Sequence, residues 1–165
     1  MVLKKEKKYN IFMKKMSFIL ILMVLCILPS VHAQKSASLK VVIDSITFNK
    51  GQLFVALYDS KSGFKHDSIF KKNITTVTDT QESLLFQLPV GRSYAVAVFQ
   101  DLNNDSILNR RGTMKIPDEP IGFSNNILGK FGPPGFDNIS FILSDDTTIQ
   151  ISIVSSRREY FRNLH

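Results

Sequence analysis

Along the chain the apolar positions recur mostly with a period of two. Leu39-Lys40-Val41-Val42-Ile43 places Leu39, Val41 and Ile43 on one face of a strand. After a turn at Asn49-Lys50-Gly51, the run Leu53-Phe54-Val55-Ala56-Leu57-Tyr58 is apolar on both faces and reads as a central strand. Ile74 to Thr78 is rich in Thr and Val, and Leu84-Leu85-Phe86-Gln87-Leu88 is stopped by Pro89 and Gly91. Tyr94-Ala95-Val96-Ala97-Val98-Phe99 sets large residues on one face and Ala95, Ala97 and Phe99 on the other. Ile139-Ser140-Phe141-Ile142-Leu143 and Ile149-Gln150-Ile151-Ser152-Ile153 complete seven strands, with Ser144-Asp145-Asp146 between the last two. No amphipathic helix stands out. Seven short strands predict an all-β fold, a seven-stranded antiparallel β-sandwich of immunoglobulin-like or transthyretin-like form. A closed barrel is the alternative.

One run breaks this pattern. Residues 16–28 are continuously apolar, preceded by Lys14 and Lys15 and followed by Pro29-Ser30-Val31-His32-Ala33. This is the order of a secretory signal peptide over residues 1–33, with cleavage before Gln34. A span would need about 20 apolar residues, so the run is short for one; an uncut signal anchor is the alternative. Met13 and Met16 are alternative starts. Cys26 follows the bulky Leu25 inside the run, unlike a lipoprotein cysteine. The expectation is therefore an exported protein, periplasmic or extracellular, soluble and without a membrane span after cleavage. A single domain occupies 34–157, and 158–165 form a frayed tail.

Composition changes meaning once the leader is removed. The 165 residues carry a formal charge of +7, but six of the 21 basic and one of the 14 acidic residues precede residue 34. Fifteen against thirteen remain, a net +2, which gives no electrostatic case for nucleic acid. The only cysteine is Cys26, so the mature chain has neither disulfide nor thiolate ligand. Its histidines are His66, in a polar loop, and the terminal His165; zinc and a Ser-His-Asp triad both lack support.

The long connection 101–137 holds the candidate chemistry. A loop of this length in a compact domain is functional or disordered, and this one carries apolar anchors (Ile116, Ile121, Phe123, Leu128, Phe131, Phe136) with Pro117, Pro120, Pro133 and Pro134. It reads as ordered. Asp101, Asn103, Asp105 and Asn109, with the Ile107 carbonyl, follow the ligand order of a calcium loop, and Asp118 or Glu119 could complete the shell. Ser106 stands where such loops have Gly, and Gly112 where they have Glu. The competing reading is a set of metal-free Asx turns. No cofactor other than Ca2+ is implied. Further along, Phe123, Ser124, Asn125, Asn126, Pro133, Pro134, Phe136 and Asp137 are the candidate recognition residues, the aromatics either stacking on a partner or packing inward.

The blocks Tyr94-Ala95-Val96-Ala97-Val98-Phe99-Gln100-Asp101-Leu102-Asn103, Ile116-Pro117-Asp118-Glu119, Gly122-Phe123-Ser124-Asn125-Asn126 and Gly132-Pro133-Pro134-Gly135-Phe136-Asp137 resemble the bacterial DUF2141 family. In the family's pattern Gln100 is a His, Asp105 an Asn and Ser106 a Gly. The resemblance implies an exported, transthyretin-like or carboxypeptidase-regulatory-like sandwich and supplies no mechanism. The functional expectation is a non-enzymatic cell-envelope binding module that uses loop 101–137 toward an envelope protein or glycan. The alternative is a small periplasmic hydrolase using loop carboxylates. Asn73-Ile74-Thr75 and Asn138-Ile139-Ser140 match the N-glycosylation triplet, and Asp-Ser-Ile or Asp-Thr-Thr triplets recur, without marking any one site.

Overall fold

The computed structural model describes residues 13–18, 34–113, 115–129 and 132–154. The chain divides into two compact units, Met1–Ala33 and Gln34–His165. Of the first, residues 13–18 are described and are helical; the apolar run beyond 18 and the cleavage point before Gln34 lie outside the described residues, as do Phe131 and the tail 155–165. Among the described residues no helix is long and apolar enough to cross a membrane.

The second unit is all-β, with ten strands among its described residues in place of the seven expected. They are β1 (Ser36–Asp44), β2 (Gln52–Tyr58), β3 (Lys71–Thr76), β4 (Glu82–Pro89), β5 (Arg92–Asp101), β6 (Arg110–Arg111), β7 (Ile116–Pro117), β8 (Ile121–Phe123), β9 (Phe141–Leu143) and β10 (Thr147–Ser152). Two short helices, α1 (Lys61–Lys65) and α2 (Phe136–Ile139), join them. Ile139, expected to open a strand, instead closes α2. One sheet has the order β10-β1-β4; the other runs β3-β2-β5-β8, with β9 also on β5. β6 and β7 form a separate ribbon. The fold departs from a purely antiparallel sandwich at one ladder, because β1 and β10 pair in parallel. β9 pairs with β5 while β10 pairs with β1, so Ser144–Asp146 carries the chain from one sheet to the other and cannot be a hairpin turn.

Strand periodicity decides the layers. Leu39, Val41 and Ile43 of β1, Leu84, Phe86 and Leu88 of β4, and Ile151 of β10 face Leu53, Val55, Leu57, Tyr94, Val96 and Val98 of the other sheet. Each buried Leu, Val, Ile or Phe of this layer stabilises the fold by about 1.5–3 kcal/mol. At the β4–β5 corner the chain changes sheet through Val90-Gly91, and the buried Tyr94 hydroxyl donates to the Pro89 carbonyl at 2.9 Å. Sandwiches use this kind of tyrosine-to-backbone tie.

The larger sheet has a second apolar face. Ala56, Tyr58, Ala95, Ile121, Phe123, Phe136, Ile139 and Val154 form a cluster of their own, with Phe54, Phe64, Ala97, Phe99 and Leu128 packed against it. α1 and part of the long loop lie over this face. The third layer is therefore made by connections, which is why β2 reads apolar on both sides.

Candidate functional site

The floor of the site follows from strand register. Across β2 and β5, Phe54 opposes Phe99, Ala56 opposes Ala97 and Tyr58 opposes Ala95. Phe54 and Phe99 stack with centroids 5.0 Å apart and planes at 21°. On the other side of β5, Ala97 opposes Phe123 and Phe99 opposes Ile121. Alanines surrounded by aromatics leave a depression, because a methyl group fills far less of the space above the sheet than its neighbours do. α1 supplies one wall: Ser60 caps it by accepting the Gly63 N–H at 3.1 Å. Its Phe64 ring meets Tyr58 edge-on at 5.1 Å and lies 6.3–6.4 Å from Phe123 and Phe136. Ser106, Ile107, Leu108 and Pro133 bring the long loop to the opposite wall. The result is a cleft of about 560 Å³.

Its polar groups are few. Lys65, Asp67 and Arg110 line it. The Tyr58 hydroxyl donates to Asp67 at 2.6 Å; burial, then the neighbouring carboxylate, hold the Tyr58 phenol above its ordinary pKa. Lys72 of β3 lies opposite Ala56 and holds its ammonium 5.4 Å from the centre of the Phe54 ring, a cation–π contact.

The loop wall is closed by its own hydrogen bonds. Asp101 is 2% exposed, and its two oxygens accept the Asp105 N–H at 3.2 Å and the Ser106 N–H at 2.7 Å. Asp105 accepts the Ile107 N–H at 2.8 Å and the amides of Asn103 at 2.8 Å and Asn109 at 3.0 Å. Those side-chain amides, and then the Ile107 N–H, hold the exposed Asp105 carboxyl below its ordinary pKa. Glu119, 5% exposed, accepts the Leu102 N–H at 2.9 Å with one oxygen and the Asn109 N–H at 3.0 Å with the other. It ties the start of the loop to its first return. Asp118 pairs with Arg111 at 3.1 Å.

The structure thus brings Asp101, Asn103, Asp105, the Ile107 carbonyl and Asn109 together around one turn, with Glu119 beneath and Asp118 turned away to Arg111. The oxygens expected to face a cation face N–H donors instead, and the Asn103 and Asn109 amide groups point NH2 toward Asp105. The Asn109 amide also donates to the Ile107 carbonyl at 3.3 Å. Among the described residues no three His, Cys, Asp or Glu side chains converge as a metal site. The turn is therefore held by its own hydrogen bonds.

The other candidate residues divide by position. Phe123 and Pro133 line the cleft, while Phe136 and Pro134 are buried. Ser124 is fully buried; its hydroxyl accepts the Val96 N–H at 3.0 Å and donates to the Ile139 carbonyl at 2.5 Å, joining β5 to α2. Asn125 donates to the Asn138 and Ser140 carbonyls, and Asn126 exchanges bonds with the Gln150 carbonyl and Ser152 N–H. Both asparagines adopt positive φ, 61° and 55°. Asp137 pairs with Lys61 on α1. Gln100, where the family pattern has His, is fully buried and donates to the Phe48 and Lys50 carbonyls at 2.6 and 2.8 Å. Its Oε1 has no partner among the described residues.

Sequence reasoning placed recognition on the loop and missed Phe54, Ala56, Tyr58, Phe64, Lys65, Lys72 and Ala97. The signal was present: small residues at matched positions of two adjacent apolar strands, with aromatics on either side.

The fold and site define a class, an all-β sandwich with a preformed aromatic cleft between one sheet and a hydrogen-bonded loop. The chain belongs to the DUF2141 family, described as an uncharacterized protein conserved in bacteria, which matches residues 41–151. No curated protein and no solved structure matches the chain.

Proposed function

We propose that this chain is an exported, non-enzymatic binding module of the cell envelope, with the cleft beneath loop 101–137 as its recognition surface. One observation carries the reading: a cleft of about 560 Å³, aromatic-walled and alanine-floored, with few polar groups at its edge. Ligand sites of about 300–1,000 Å³ are typically lined in this way. The hydrolase alternative draws on carboxylates that are otherwise engaged: Asp101, Asp105 and Glu119 accept bonds from the loop's own backbone, and Asp118 holds Arg111. Export rests on the leader pattern of residues 1–33.

The test is fluorescence of the neutral aromatic probe N-phenyl-1-naphthylamine with the purified protein. Saturable one-to-one binding is expected, abolished by Ala97→Leu, which fills the floor, without loss of melting temperature. Absence of binding to the unaltered protein, or binding unaffected by Ala97→Leu, contradicts the reading.

A further inference from the structure

We infer that the cleft selects small molecules with an aromatic or fused-ring body and one anionic group. This rests on the cleft being the recognition site and adds the chemical class of its ligand. The body is specified by the floor and walls: Phe54, Phe99, Phe123 and Ile121 offer apolar surface. Ile107 lines the cleft while 64% exposed, apolar surface that a bound ring would cover. The charge is specified by the rim. Lys65 of α1 and Arg110 of β6 line the cleft, and Lys72 of the neighbouring edge strand β3 stands over Phe54.

Among the described residues the ion pairs are Lys61–Asp137, Arg92–Asp59 and Arg111–Asp118, so Lys65, Lys72 and Arg110 take part in none of them. Arg110 uses one guanidinium nitrogen on the Lys115 carbonyl at 3.3 Å, a contact that leaves its charge uncompensated. The one carboxylate in the lining, Asp67, already accepts the Tyr58 hydroxyl. The lining carries two cations against one engaged carboxylate, and Lys72 beside it adds a third positive charge, so the rim has a net positive field. A low-dielectric floor beneath it strengthens attraction for an anion seated at the mouth. A neutral ring system would fill the floor equally well and gain nothing from the rim.

The experiment compares two probes sharing one skeleton, 8-anilino-1-naphthalenesulfonate and its uncharged parent N-phenyl-1-naphthylamine. The sulfonate is expected to bind more tightly, with the advantage falling about three- to fivefold in each of Lys65→Ala, Lys72→Ala and Arg110→Ala. The advantage should also shrink in 0.5 M salt, while the parent's affinity stays constant. These side chains are exposed, so melting temperatures should hold. Equal affinity for the two probes, or a sulfonate affinity indifferent to all three substitutions, overturns the inference and leaves the cleft as a site for neutral ligands. Sulfonate binding that survives Ala97→Leu places the anion elsewhere and also overturns it. Failure of both probes to bind removes the recognition site itself.

Discussion

Glu119 lies under the loop with one carboxylate oxygen on Leu102 and the other on Asn109. Glu119→Ala strips two N–H groups of their acceptor in a partly buried setting, a loss of about 2–4 kcal/mol. Thermal unfolding should show a fall in Tm of order 10 °C. Ser106 tests the opposite sign. It holds φ at +62°, where a side chain is strained and glycine is not. Its N–H bond to Asp101 is independent of its side chain, so Ser106→Gly should be neutral to stabilising by up to about 1 kcal/mol, read by denaturant midpoint. Asp105 gives the loop a pH dependence. Its carboxyl is held below the unfolded value, so its contribution is fully present above about pH 4 and is lost as the pH falls through the lower folded value. Glu82, bonded by the Thr78 backbone and hydroxyl, titrates with the same sign. A pH series of melting curves should steepen below about pH 4, and less so in Asp105→Asn. At this scale the sequence marked Asp101, Asp105 and Glu119 as a group. Oxygen spacing alone could not say whether cations or N–H groups would face them, since both reward the same turn.

At the scale of elements, close approach is the governing constraint. A Cβ on Gly122 would lie 2.7 Å from Ile151 Cγ2 and 3.2 Å from the Ser152 carbonyl oxygen, because β8 is pressed against the end of β10. Gly122→Ala should cost about 1–3 kcal/mol through overpacking. Gly51 is tighter, with φ +74° and the Asp101 carbonyl oxygen 2.1 Å from an added Cβ. Gly51→Ala should therefore be the more damaging of the two when both are compared in urea. The long strands were legible because alternation extends over five or more residues, as in β1 and β4, where every second side chain is buried. β6, β7 and β8 have two or three residues each and α1 and α2 five and four, too few for any period to register. The parallel β1–β10 ladder was invisible for another reason. Strand direction is set by how the closing segment returns to the sheet, which leaves no mark in the periodicity of either strand.

Over the whole molecule, the loop and the larger sheet together enclose one cleft. Aromatics read as loop features, such as Phe123 and Phe136, turn out to anchor the loop to the second face of the larger sheet. The space that remains open is shaped by β2 and β5. A preformed cleft requires the loop to be ordered by its own bonds before any ligand arrives. Amide hydrogen exchange in the presence of chelator tests this most directly. Protection is predicted at Leu102, Asp105, Ser106, Ile107 and Asn109, whose N–H groups bond Glu119, Asp101 and Asp105. Adding calcium should not increase it. Loop amides that exchange as freely as an unstructured chain in chelator would contradict the account; protection that then appears with calcium would make the metal the organiser of the wall.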